Sequence, residues 1–189
     1  MHGDALEWRW RGLTLNPYYE DNDPQAMIDA DQFINDTASN WYFGGDDTGN
    51  IMHADNVRCL WRQAQGLGDV MLVTGDGSIS CSHAPNEQES IVAQLHYCEV
   101  VAGIGMLQHG GGHGGAMVIK MFTLFERRTV DLLYLLGCVF EEVWVSKPAC
   151  STASNAETYL VCKGEWGTLK VEVMPTIPHE FPEIGRAHV

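Results

Sequence analysis

The chain has 189 residues, 45% apolar and 19% charged, a composition that fits a folded domain rather than a disordered segment. Its formal net charge of −14, from 11 Lys and Arg against 25 Asp and Glu, argues against a long basic groove tracking a nucleic-acid backbone, but leaves room for one short strand in a local pocket. No uninterrupted apolar run is long enough to span a bilayer, and the first residues lack the basic start and apolar core of a signal peptide, so an intracellular protein is expected.

Residues 7–15 alternate Trp8, Trp10, Leu13 and Leu15 with polar residues and predict a strand, broken by Asn16-Pro17. Residues 21–36 are acidic with a weak helical pattern. Residues 40–51 read as a short aromatic strand running into a Gly/Asp loop, and 53–65 as a helix. The clearest strand lies within 69–80, where Val70–Val73 is apolar and a tight turn, Thr74-Gly75-Asp76-Gly77, stands at its carboxyl end. Asn86, with Glu89 three residues on, resembles a capping box that opens the longest helix. That helix is expected to bury one face through Ile91, Leu95, Cys98 and Ala102, widened by Val92 and Val101. It ends in a glycine-rich run at 110–115.

The apolar run 116–119 then predicts a buried parallel strand with Lys120 at its end. Residues 127–140 read as a buried helix, and 142–146 and 157–163 as two strands joined by a loop too short for a parallel crossover. The last two must therefore pair antiparallel at one edge. The fold class is α/β, a sandwich around a mainly parallel sheet.

Sites in open α/β sheets gather outside the carboxyl ends of strands. Asp76, Lys120 and, if the last strand is reversed, Glu157 all belong to that rim. An amine between acids suits removal of a proton from a hydroxyl, provided the charged form of the amine is disfavoured by burial or by a nearby cation. Asp76 and Glu157 act in the opposite sense, so a second cation is needed, and none is evident. Each residue also has a plain reading: Asp76 as a turn residue, Lys120 snorkelling to solvent, Glu157 at the start of an edge strand. Asp46 and Asp47, in a Gly-rich loop after a strand, are suited to a ribose or adenine, or to a solvated turn. The glycine run precedes a strand, so it is not a phosphate loop. None of the six cysteines forms Cys-x-x-Cys, and reduced thiols are expected. His109 and His113 lack a third ligand nearby, so no metal site is expected.

Three blocks, Val73-Thr74-Gly75-Asp76-Gly77-Ser78, Asn86-Glu87-Gln88-Glu89 and Leu95-His96-Tyr97-Cys98-Glu99-Val100-Val101, resemble FtsJ-like ribose 2′-O-methyltransferases. Further similar blocks are Leu15-Asn16-Pro17-Tyr18, Trp41-Tyr42-Phe43-Gly44, Lys120-Met121-Phe122-Thr123, Tyr134-Leu135-Leu136 and Lys147-Pro148-Ala149 running on to Asn155-Ala156-Glu157. The likeness covers residues 8–163, in order and with similar spacing.

The resemblance implies a Rossmann-like class I methyltransferase sandwich that binds S-adenosylmethionine. Asp76, Lys120 and Glu157 match the second, third and fourth members of the family's Lys-Asp-Lys-Glu tetrad. Lys120 would then be the base for the ribose 2′-hydroxyl. Asp76 would orient it and lie near the methyl donor, and Glu157 would help hold base and ribose. Asp46 and Asp47 match the region near the cofactor's adenosine. Within the family the blocks are most similar to enzymes acting on the second transcribed nucleotide at the 5′ end of capped mRNA. That implies nucleus and cytoplasm, with neither DNA nor membrane as partner.

The family's first lysine and its glycine-containing cofactor loop have no counterpart here. The expectation is a partial domain over residues 1–165, incomplete at the N-terminus, and a tail of unclear structure over 166–189. Such a piece would need the missing N-terminal part of the same chain, and would be weak or inactive alone. A catalytically inactive methyltransferase-like interaction module is the alternative. A nicotinamide-dependent oxidoreductase lacks its glycine fingerprint.

Overall fold

A computed structural model describes residues 8–23, 32–108, 114–149 and 155–164. Two short strands, β1 (Gly12–Leu13) and β2 (Trp41–Tyr42), pair in parallel as one small sheet. The second sheet has the order β3-β4-β6-β5, from β3 (Leu72–Gly75), β4 (Ala116–Met121), β5 (Glu142–Ser146) and β6 (Thr158–Lys163). β3 runs parallel to β4, and β6 is antiparallel to both β4 and β5. The reversed strand therefore lies one place in from the edge, with β5 outside it and parallel to β4. Three of the four strands share a direction, within a mixed sheet.

Three helices position the site: α2 (Ala54–Gln65), α3 (Gln88–Gln108) and α4 (Arg127–Val139), after a short α1 (Gln32–Asp36). The main core joins Val100, Ile104 and Leu107 of α3 and Leu132, Leu136 and Val139 of α4 to Val73, Met117, Ile119, Met121, Leu160 and Cys162 of the sheet. Both helices thus cover one face. The other face keeps Leu72, Thr74 and Trp144 exposed and Val118, Tyr159 and Val161 half-buried. α2 packs on the far side of α3, where Val57 and Leu60 meet Ala102 and the Trp61 indole donates to the Ala102 carbonyl at 3.0 Å. Two glycines permit this double packing. A Cβ on Gly103 would lie 2.6 Å from Met117 Sδ, and one on Gly105 would enter the Trp61 ring.

Several expectations need correction. α3 is buried on two sides rather than on one face, because it lies between the sheet and α2; Val100, not Val101, is fully buried. α4 is amphipathic, burying Thr129, Leu132, Leu136 and Val139 while Val130 and Tyr134 are exposed. The first strand is reduced to two residues, with Trp10 stacked 6.1 Å from Phe33 and Trp41 edge-on to both. By length and composition Pro85–Leu107 could cross a membrane, but its apolar 18-residue window is 61% buried inside the fold, as befits a core helix. Cys59, Cys81, Cys98, Cys138 and Cys162 are free, and burial pushes the thiols of Cys98 and Cys162 up to about 11. His109, His113 and Cys150 lie outside the described residues, as do most of the glycine run and the tail.

Candidate active site

The parallel register that sets Gly75 beside Ile119 brings Asp76, just past β3, level with Lys120, the penultimate residue of β4. Lys120 Nζ donates to Asp76 Oδ1 at 2.8 Å and to the Asp76 carbonyl at 2.9 Å. The lysine side chain is 11% exposed and the aspartate 75%, so the amine lies under an open carboxylate. Among the described residues no second cation pairs with Asp76.

Glu157 precedes β6, whose first residue, Thr158, pairs with Met121 at the end of β4. The Thr158 hydroxyl donates to the Phe122 carbonyl at 3.0 Å, which joins the two strand ends. Glu157 thus reaches the same rim, but its carboxylate accepts from the Tyr159 hydroxyl at 3.0 Å and makes no ion pair with Lys120. Lys147, which opens the last of the similar blocks, ties this segment down by donating to the carbonyls of Asn155 and Glu157 at 2.8 and 2.7 Å.

Asp46 and Asp47 divide their work. The Asp46 carboxylate accepts from His53 Nδ1 at 2.7 Å, the Thr48 hydroxyl at 2.8 Å, the Thr48 amide at 3.0 Å and the Asn56 amide at 2.9 Å. Burial works to raise it, but these donors outweigh that and hold it well below the usual carboxylate range. It therefore braces its own loop. Asp47 adopts φ 63°, a conformation rare for residues other than Gly, Asn and Asp, and is exposed. Asp47 and Asp76 each present an exposed carboxylate past the carboxyl ends of β2 and β3, acceptors of the kind a ribose diol and a cationic sulfonium call for. By that chemistry the residues present fit S-adenosylmethionine, with Asp46 in a supporting place.

Sequence reasoning missed a group of polar residues inside α3. Glu89, His96 and Glu99 are all buried and share one helical face by their spacing. The expected capping box at Asn86 does not form as read; a 3-10 turn, Pro85–Glu87, precedes α3. The Glu89 carboxylate instead accepts from the Thr123 hydroxyl at 2.5 Å and from the amides of Phe125 at 3.2 Å and Glu126 at 2.7 Å. It clamps the loop between Lys120's strand and α4. Burial raises this carboxyl, but its donors hold it below the usual range. His96 is driven down to about 4 by burial, and then by the charge of Lys120, so it is neutral. The signal available was polar residues recurring on the apolar face of a helix.

Helices on one side of a mixed sheet, with an amine and carboxylates gathered at one rim, define an α/β fold whose site lies outside the carboxyl ends of its strands. The FtsJ-like methyltransferase family matches residues 2–165, and the chain belongs to that family. It is 47% identical over 161 residues to "Cap-specific mRNA (nucleoside-2'-O-)-methyltransferase 2" of Mus musculus, covering 85% of this chain and 20% of that protein. Proteins of the same name match at 46% over 164 residues in Drosophila melanogaster, covering 84% of this chain and 22% of that protein, and at 45% over 156 residues in Danio rerio, covering 82% and 20%. The chain spans about a fifth of the length of these curated relatives.

Proposed function

We propose that this chain carries the catalytic core of an S-adenosylmethionine-dependent ribose 2′-O-methyltransferase acting on the second transcribed nucleotide of capped mRNA. The observation that carries the reading is the hold of Asp76 on Lys120 through two oxygens at once. In a neutral amine both N–H groups are then satisfied, and the lone pair is left for a substrate hydroxyl. Lys120 takes the 2′-hydroxyl proton as the ribose oxygen forms its new bond to carbon. Asp76 fixes the direction of the amine, and its open carboxylate faces positive charge on the donor. S-adenosylmethionine supplies a methyl group on a positively charged sulfur, which departs as a neutral thioether. Asp47 holds cofactor hydroxyls, Asp46 braces that loop, and Glu157 bounds the ribose side of the rim. The relatives' printed names support the choice of capped mRNA.

We further propose that more polypeptide of the same protein completes the site. The half-exposed sheet face, the lack of a second cation at Asp76 among the described residues and the length of the relatives support this. The proposed substrate is made in the nucleus and used in the cytoplasm, and both are proposed as locations.

The test is methyl transfer from labelled cofactor to capped RNA by the full-length protein, with the modified residue located by mass spectrometry. Label on the ribose of the second nucleotide is expected; label elsewhere, or none, would overturn the proposal. For the chain alone, calorimetry with S-adenosylmethionine should show no micromolar binding, and such binding would contradict the need for a missing part. An interaction module without chemistry is the second reading, favoured by the pairing of Glu157 with Tyr159 rather than with Lys120.

A further inference from the structure

We propose that Glu99 is a positioning residue for the Asp76–Lys120 pair: its carboxyl holds the turn that carries Asp76 and, by gaining or losing a proton, sets the charge felt by the Lys120 amine. The reaction served rests on the function proposed above; the coupling itself does not.

Glu99 is buried in the middle of α3. Its Oε1 accepts the Gly77 amide at 2.7 Å, whereas Oε2 is buried without a hydrogen-bond partner. A Cβ on Gly77 would lie 2.7 Å from Oε1, and one on Gly75 3.1 Å from it. The two glycines on either side of Asp76 therefore close down on this carboxyl. With the turn held from beneath, the Asp76 carbonyl and carboxylate are both presented to Lys120 Nζ.

A neutral Gln would make the same bond to Gly77, so holding the turn does not by itself call for an acid. Burying a charge with one oxygen unpaired is costly. What an acid adds is a proton that can leave. Burial pushes Glu99 up to about 7; the Gly77 amide and the charge of Lys120 pull it down, and Asp76 pushes it up. The ionisable groups facing it are Asp76 from the turn, Lys120 from β4, and Cys98 on its own helix. His96, one turn earlier, is neutral in this range. α2 packs on α3 through apolar contacts and the Trp61–Ala102 bond, and keeps Asp55, Arg58 and Arg62 outside, the first two paired at 2.6 Å. Protonated Glu99 removes one negative charge from beside the Asp76–Lys120 pair, and ionised Glu99 restores it.

The experiment is an NMR titration of the chain itself, following the Gly77 amide proton and the Lys120 side-chain nitrogen from about pH 5 to about pH 9. Both signals are expected to move with one shared midpoint near neutrality. In Glu99→Gln, which keeps the Gly77 bond, both should be flat over that range while the circular dichroism is unchanged. A Gly77 amide that does not titrate in the unaltered chain overturns the proposal, whatever the variant does. A Lys120 signal that titrates equally in Glu99→Gln reduces Glu99 to a structural anchor and also overturns it. Methyl transfer is no part of the readout, so failure here is distinct from failure of the enzymatic reading.

Discussion

Lys120 Nζ meets Asp76 twice, at the carboxylate and at the backbone carbonyl, 2.8 and 2.9 Å away. The two contacts have different dependence on side-chain chemistry. Asp76→Asn keeps the carbonyl contact and removes the ion pair. Because the Asp76 side chain is 75% exposed, that pair is screened and contributes at most about 1 kcal/mol to stability. Chemical denaturation should therefore barely distinguish Asp76→Asn from the parent. Methyl transfer by the full-length protein, by contrast, should fall by about 10²–10⁴-fold. Equal losses in both would make Asp76 a structural residue.

Glu89 and Glu99, ten positions apart on α3, carry opposite pH signatures. Donors hold Glu89 below its unfolded value, so the stability it contributes is present above that value and is lost as pH falls through the folded one. Glu99 is raised to about 7 from 4.5, so the folded state keeps a proton the unfolded chain has released, and stability declines as pH rises across that window. Urea midpoints against pH should show Glu89→Gln losing part of the acid limb. Glu99→Gln should remove the decline between about 4.5 and about 7.

Gly105 faces the Trp61 ring, where α2 packs against α3. Gly105→Ala forces the indole away and strains its bond to the Ala102 carbonyl. Overpacking of this kind costs about 1–3 kcal/mol, and loss of the indole bond about 1 more. Thermal unfolding should show the deficit, and Trp61 fluorescence should shift as the ring moves. A melting temperature equal to that of the parent would contradict the packing described.

Asp46 and Asp47 should separate cleanly. Asp46→Asn weakens a set of four donors and is expected to lower stability by about 1–2 kcal/mol, discounted for partial exposure. Asp47→Asn tolerates the same left-handed backbone and should leave unfolding unchanged, while weakening cofactor binding by the full-length protein. Calorimetry and thermal melts on the two variants decide this; the reverse pattern would exchange their roles.

Much of the rim was legible in the sequence, because a cation after an apolar run and an acid in a glycine turn are local signals. β3, β4, α2 and the β5–β6 pair were placed from patterning and loop length alone. The membership of Glu89 and Glu99 in the site was not, because each acts across more than twenty residues, on Glu126 and Gly77 respectively. Helix periodicity marks which positions are inward, but not which strand turn an inward acid will meet. The two-sided burial of α3 was hidden for a related reason: Gly103 and Gly105 read as weak helix formers, and only packing shows that each admits a neighbour. The Asn86 capping box failed because Glu89 found stronger partners in the loop after β4.

In the proposed mechanism Lys120 removes the proton from the attacking hydroxyl. The most direct measurement is single-turnover methyl transfer to capped RNA by the full-length protein carrying Lys120→Ala, at saturating cofactor and RNA. A rate lower by about 10²–10⁴-fold is expected, with cofactor affinity close to that of the parent. Transfer at the parental rate would show that another group takes the proton, and the amine held by Asp76 would then have no part in the chemistry.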